Sequence, residues 1–251
     1  QKYLAARRGW TGGSFEWLAD MGILSSNVIA AHAQNIRPGE AALIAQAGAR
    51  IALVPDMEQV LGLVNFDSRQ YLDNGVACGL GLDGPVVAYG HDLWASLRSF
   101  LTSQRLGDQH RRLKAEAGAK WTGDEMLFGS GEYALELATI GGAKALMMDD
   151  RIGSLEAGKE ADILLVDTRG ETQLSPPAAL FANLVYGNGP SHDAVRRVLV
   201  GGRTVVRDGE HVSIDRREAV RRSDALHETL LDEVNARRFV RMRSRFQWID
   251  G

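Results

Sequence analysis

The sequence predicts an α/β fold, either a barrel or a doubly wound sheet, on three observations. Helix-like segments at 14–22, 40–48 and 68–74 are each followed by a short apolar run, at 27–31, 49–54 and 76–82. Gly48 and Gly75 stand between helix and run, where a helix C-cap glycine belongs. The runs are continuously apolar rather than alternating, which is the pattern of parallel strands buried on both faces. The repeated unit of helix, glycine, buried strand and polar loop is that of an α/β protein.

The remaining elements follow in order. A helix is expected over about 92–104, and the polar, basic segment 105–120 reads as a loop or irregular excursion. A second helical stretch is expected over 129–147. From Ile152 the pattern changes to short Val/Leu strands at Ile163–Val166, Val195–Val200 and 204–207, separated by Gly-rich turns. These are expected to form a small β-unit outside the α/β core. Residues 214–239 read as a terminal helix with Ser213 as its cap.

Composition narrows the function classes. The 251 residues are 45% hydrophobic and 24% charged, enough to bury a core. The formal charge of −3, with no single-sign block, argues against a nucleic-acid surface and against a polybasic membrane patch. No apolar run reaches the roughly 20 residues of a membrane span. No secretory signal pattern opens the chain. One cysteine, Cys78, leaves no internal disulfide, so a cytoplasmic setting is expected. The expected partner is a small-molecule substrate, and a homo-oligomer is compatible with the composition. A glycine-rich phosphate loop, a G-x-S-x-G elbow and a CxxC pair are all missing, which disfavours a nucleotide-binding α/β protein.

Two residues stand out for chemistry. Asp83 follows the run 76–82 and precedes Gly84-Pro85. A carboxylate at the C-terminal end of a parallel strand faces the mouth of a barrel, where active sites of that architecture lie. A turn or helix-capping aspartate explains the same residue equally well, since Asp-Gly is common turn chemistry. His32 ends the run 27–31 in the same way, and a neutral imidazole can ligate a metal, take a proton or bond an anion. A histidine satisfied by a nearby carbonyl is the plainer alternative. What lifts His32 is that Asp83 repeats its placement two strands later. Asp92 reads as the cap of the helix starting at Leu93, with His91 beside it, and Glu40 reads as a first-turn acid. His110, His192, His211 and His227 read as surface groups, and Cys78 as an inert core thiol.

Three stretches together resemble a known family. They are Ile29-Ala-Ala-His32-Ala-Gln-Asn-Ile36 with Ala52-Leu-Val-Pro55; Asp73-Asn-Gly-Val-Ala-Cys-Gly-Leu-Gly-Leu-Asp83-Gly84; and Ala138-Thr139-Ile-Gly-Gly-Ala143 with Ile152-Gly-Ser-Leu-Glu-Ala-Gly-Lys-Glu-Ala-Asp162 and Val198-Leu-Val-Gly-Gly-Arg. In this order they resemble the C-terminal half of the amidohydrolase superfamily, in the branch of cytosine, guanine and S-adenosylhomocysteine deaminases and triazine hydrolases. The resemblance implies the C-terminal part of a (β/α)8 TIM-like barrel over 1–150, part of a small β-sandwich over 151–212, and a helical tail over 213–251. It implies hydrolysis of a C–N or C–Cl bond on a cyclic or heteroaromatic substrate by a metal-activated water. The cofactor would be one divalent metal, zinc or iron. It assigns to Asp83 the metal-ligand and proton-relay role, and to His32 the role of orienting water and substrate.

The chain departs from that pattern in several places. The family's H-x-H pair and its histidine after strand 5 are absent. The second polar position of the strand-6 loop is Asn35, and the loop after strand 7 reads Leu53-Val54-Pro55-Asp56-Met57-Glu58 instead of His-x-Pro-x-Ser-Asn. A non-catalytic homologue or truncated fragment that has lost its metal site is therefore the alternative. The chain opens at Gln1 without a methionine, and a whole barrel takes roughly 250 residues. The chain is thus expected to be incomplete as a folding unit, and insoluble or partner-seeking when expressed alone.

Overall fold

The computed structural model describes residues 7–62, 68–85, 90–115, 130–169, 171, 174–187 and 189–234. It begins with α1 (Ser14–Asp20), β1 (Ile29–Ala31), α2 (Glu40–Gln46), β2 (Arg50–Leu53), α3 (Pro55–Val60), α4 (Arg69–Leu72) and β3 (Cys78–Leu80). The three strands form a parallel sheet in the order β1-β2-β3. Ile51 pairs with Ala30 on one side and Cys78 on the other. Gly48 and Gly75 both adopt positive φ, as the helix-to-strand turns require.

The core lies between this sheet and the helices. Ile44, Ile51, Leu53, Phe100 and Leu101 are fully buried, with Tyr71 and Leu97 nearly so. The strands are shorter than the apolar runs that signalled them. The central strand β2 alternates between buried and half-buried positions, whereas β1 is largely exposed, with Ile29 41% accessible. The expectation of burial on both faces therefore fails at β1. It pairs on one side only among the described residues, and of its three residues only Ala30 packs against the core.

Glu40 fastens α1 to α2. It is buried at the start of α2, and its carboxylate accepts from Phe15 N (2.6 Å), Glu16 N (3.1 Å) and Arg37 N (2.7 Å). The first-turn acid thus caps the neighbouring helix rather than only its own, satisfying amides that α1 leaves unpaired. Gly13 makes this possible: a Cβ there would sit 2.2 Å from the Glu40 carboxylate.

Beyond β3, α5 (Leu93–Ala115) packs on α3, with Leu97, Phe100 and Leu101 inward. It corrects the expected loop at 105–120, of which 116–120 lie outside the described residues. Arg, Gln and Lys are good helix formers, so the polarity of 105–115 does not interrupt the helix. The stretch 129–147 resolves into α6 (Gly131–Glu136), a π-turn at Leu137–Gly141 and α7 (Gly142–Ala145), residue 129 lying outside the description. The glycines here serve close approach, since a Cβ on Gly79 of β3 would sit 2.8 Å from the Cα of Gly142.

A second sheet is antiparallel, in the order β4 (Ile163–Val166), β5 (Val195–Val200), β6 (Arg203–Arg207) and β7 (Glu210–His211). Between β4 and β5 runs α8 (Leu180–Tyr186), which packs on α5 and α6. The last helix, α9 (Arg216–Glu233), has no buried residue. Its cap is Asp215, which accepts from Glu218 N at 3.0 Å, and not the expected Ser213. The reason is spacing: Asp215 stands three residues before Glu218, as a capping side chain must. Residues 235–239 of the expected helix lie outside the description.

Glu40→Ala should destabilise the protein by about 3 kcal/mol, because buried amides of α1 lose a charged acceptor. Urea unfolding followed by circular dichroism measures this; an unchanged midpoint would show that the Glu40 bonds do not hold α1 in place.

Candidate active site

The end of β2 organises the candidate site. Past the strands, His32 N donates to Ala52 O (3.0 Å) and Gly81 N donates to Leu53 O (2.7 Å). The backbones leaving β1 and β3 are thereby tied to the last residues of β2, one on each side. His32 and Asp83 then lie on opposite flanks of the β2 terminus, and α3 starts directly from it at Pro55.

Backbone conformation aims the side chains. His32, Ala33 and Asp83 all have positive φ, at 64°, 47° and 60°. For residues with a Cβ this region is sparsely populated and costs free energy. Ala33 N donates to Ala31 O (2.8 Å), so His32 is the centre of a three-residue turn of the rarer, positive-φ kind. The buried phenol of Tyr71 donates to Ala33 O and holds that turn from behind.

The result is an imidazole between two carboxylates. His32 Nε2 lies 3.6 Å from Asp83 Oδ2, and Nδ1 lies 3.6 Å from Glu58 Oε1. Both separations exceed hydrogen-bond length, so these are charge-range contacts. Asp83 and His32 are each about one-third exposed at the side chain (36% and 35%), whereas Glu58 is sealed at 1%. Asp83 Oδ1 accepts from the adjacent Gly84 N (2.7 Å). The turn alternative for Asp83 thus holds for one oxygen, while the other faces the imidazole.

Glu58 is the member that sequence reasoning did not select. Burial pushes its carboxyl up to about 7 from 4.5, against the lowering pull of the Gln34 side chain and the Val54 backbone. Gln34 is near enough to exert that pull, but its Nε2 and both Glu58 oxygens are buried without completing a hydrogen bond. His32 Nδ1 is buried and unpaired in the same way. In sequence Glu58 is one of two acids in the first turn of α3, with Asp56, and such acids are ordinarily solvated.

The other candidates fall away from this cluster. Asp92 accepts from Trp94 N (2.9 Å) at the start of α5, as a cap. His91 is exposed, and His192 lies beside Asp193 and Glu210 in the antiparallel sheet region. The side chain of His110 is outside the described residues. Cys78 is buried and its thiol is pushed up to about 12 by burial, so it stays an inert thiol. Leu53, where the resembled family often has histidine, is fully buried in the core. The distinctive 152–162 stretch is structural: Lys159 Nζ bonds Asp149 O and Ser154 Oγ (both 2.6 Å), and Asp162 Oδ1 accepts from Gly201 N (2.7 Å).

Among the described residues no group of three His, Cys, Asp or Glu stands where it could hold a metal ion. Asp83 Oδ2, which accepts no hydrogen bond among the described residues, could serve a divalent cation as one ligand, and a catalytic metal centre takes three protein ligands with a water. The described residues therefore fit one side of a metal centre.

An imidazole close to two carboxyl groups can take and give protons, and this one lies where the parallel strands end. The chain belongs to the amidohydrolase family, whose sequence profile matches residues 5–205. It is 32% identical over 198 residues to a 5-methylthioadenosine/S-adenosylhomocysteine deaminase of Moorella thermoacetica, covering 79% of this chain and 42% of that protein. It is also 32% identical over 196 residues to an S-triazine hydrolase of Gordonia rubripertincta, covering 77% of this chain and 37% of that one. Zinc-complexed atrazine chlorohydrolase from Arthrobacter aurescens superposes with a TM-score of 0.70 at 27% identity, over 89% of this chain and 45% of that one. A zinc-bound adenosine deaminase from Xanthomonas campestris shares the fold, with a TM-score of 0.75 at 22% identity over 91% of this chain and 47% of that one. The chain spans less than half the length of these relatives. No helix of the described residues is long and apolar enough to cross a membrane.

The raised Glu58 pKa fixes a sign for stability. Between about 4.5 and 7 the folded state holds a proton that the unfolded state releases, so stability should fall as pH rises through that window. The decline should reach at most about 3 kcal/mol, and Glu58→Gln should flatten it. Thermal melts from pH 4.5 to 8 test this; a wild-type and Gln-variant pair with parallel profiles would refute it.

Proposed function

We propose that this chain carries the proton-relay side of a metal-dependent hydrolase that breaks a C–N or C–Cl bond on a cyclic or heteroaromatic ring. The observation that carries this reading is the approach of His32 Nε2 to Asp83 Oδ2 at 3.6 Å, at the ends of two strands flanking β2, in a chain of the amidohydrolase family. Relatives named as deaminases of adenosine derivatives and as triazine hydrolases support the ring substrate. On this reading the three parallel strands are the last strands of a (β/α)8 barrel, and the antiparallel sheet is part of a small β-sandwich beside it.

The geometry is compatible with the roles that the resemblance implies. Asp83 takes a proton from the attacking water and delivers it to the leaving nitrogen or ring atom. It is suited to this because it is open to solvent on one side and fixed by Gly84 N on the other. His32 holds its Nε2 toward Asp83 and toward the space where water and substrate would meet, and steadies developing negative charge by donating a hydrogen bond. A divalent metal, zinc or iron, would be held through Asp83 with ligands from outside these residues; its chemistry is to lower the pKa of a water towards about 7. Leu53 adds no polar contact to the ring substrate, and Asn35 stands where a second histidine is common in such enzymes.

Zinc titration of the wild-type chain should show weak binding, lost in Asp83→Asn and kept in His32→Asn. In the form of the protein that supplies the remaining ligands, Asp83→Asn should lower turnover of an aminated purine nucleoside or a chlorinated s-triazine by about 10²–10⁴-fold. His32→Asn should lower it with zinc content retained. Ammonia or chloride release measures the rate. Unchanged zinc affinity and turnover in Asp83→Asn would overturn the assignment.

A further inference from the structure

The group behind His32 has no role in the reading above. Glu58 lies on the face of the imidazole away from Asp83, with Oε1 3.6 Å from Nδ1. His32 Nδ1 and both Glu58 oxygens have essentially no solvent-accessible surface and no hydrogen-bond partner among the described residues. Polar atoms left in that state are unfavourable. Groups that can relieve this face each other across the gap, an imidazole nitrogen and a carboxyl oxygen, with the Gln34 amide beside them.

We propose that Glu58 is the positioning residue for His32: its carboxyl group and Nδ1 share one proton, which fixes the ring so that Nε2 faces Asp83. The sharing requires the 3.6 Å separation to close to about 2.7–3.0 Å, an ordinary hydrogen bond. The charge arrangement supports it. The ring is flanked by Asp83 on the Nε2 side and Glu58 on the Nδ1 side. A proton on Nε2 is favoured by the Asp83 carboxylate, which leaves Nδ1 to bond Glu58. If the shared proton sits on oxygen, both Glu58 and His32 are neutral; if it sits on nitrogen, they form an ion pair of no net charge. Either form avoids an isolated buried charge. Burial already makes Glu58 retain a proton far above the usual carboxylate range. The strained turn at His32 gains a purpose here, because a ring gripped on Nδ1 can hold Nε2 in one direction only. This orienting contact is of the kind that an outer partner gives to a working histidine.

The inference deepens the proposed function, yet its test reads no turnover and so can fail separately. In the full chain labelled with ¹⁵N-histidine, the ring resonances of His32 are assigned by their loss in His32→Asn. At pH about 7, at the level to which burial raises the Glu58 carboxyl, a histidine of ordinary pKa is mostly neutral. The His32 Nδ1 resonance should be displaced from that of the exposed histidines toward the protonated position, and Glu58→Gln should return it to the unprotonated position. The resonances of the other five histidines report whether the variant is folded. A wild-type Nδ1 that coincides with the exposed histidines would overturn the proposal even if the variant does not fold. So would a displacement that survives in folded Glu58→Gln.

Discussion

The carbonyls of Ala52 and Leu53 are the constraint on which the candidate site depends. Each accepts a backbone hydrogen bond from a chain leaving a neighbouring strand, one from His32 and one from Gly81. Parallel pairing alone would bring the three strand ends to one edge. The two extra bonds carry the ladder one step further, to the residues where the loops begin. Because Ile51 and Leu53 are fully buried, β2 cannot shift without emptying the core. The rigidity of a hydrophobic strand is thus handed directly to an imidazole and a carboxylate.

The stability balance runs the other way at the site itself. Three non-glycine residues with positive φ and a buried, unpaired carboxyl are all unfavourable in isolation. They are held by the packing beneath them: Tyr71 under the His32 turn, and the α5 face of Leu97, Phe100 and Leu101 behind the sheet. Such concentration of strain at strand ends is what a site of pre-set geometry looks like.

Much of this was legible in the sequence, for identifiable reasons. His32 and Asp83 could be singled out because each ends an apolar run and opens a polar loop, and their positions do not depend on loop detail. Glu58 could not, because its place in the first turn of α3 is indistinguishable in sequence from that of Asp56 or any dipole-favoured acid. Its burial comes from how α3 leaves β2, which only the fold defines. The cap of α9 was missed by two residues and the end of α5 by about ten, since polarity alone does not separate a solvated helix from a loop. The most family-specific stretch, 152–162, proved to hold turns together, while the candidate site lies in a less distinctive part of the chain.

The central claim is that whatever metal this chain handles meets it at the end of β2. Crystals of the protein soaked in zinc, with anomalous diffraction collected at the zinc edge, address it directly. The account predicts a peak about 2.0–2.2 Å from Asp83 Oδ2, on the Nε2 side of His32. Zinc found only elsewhere, for example beside His192 and Glu210, would contradict it.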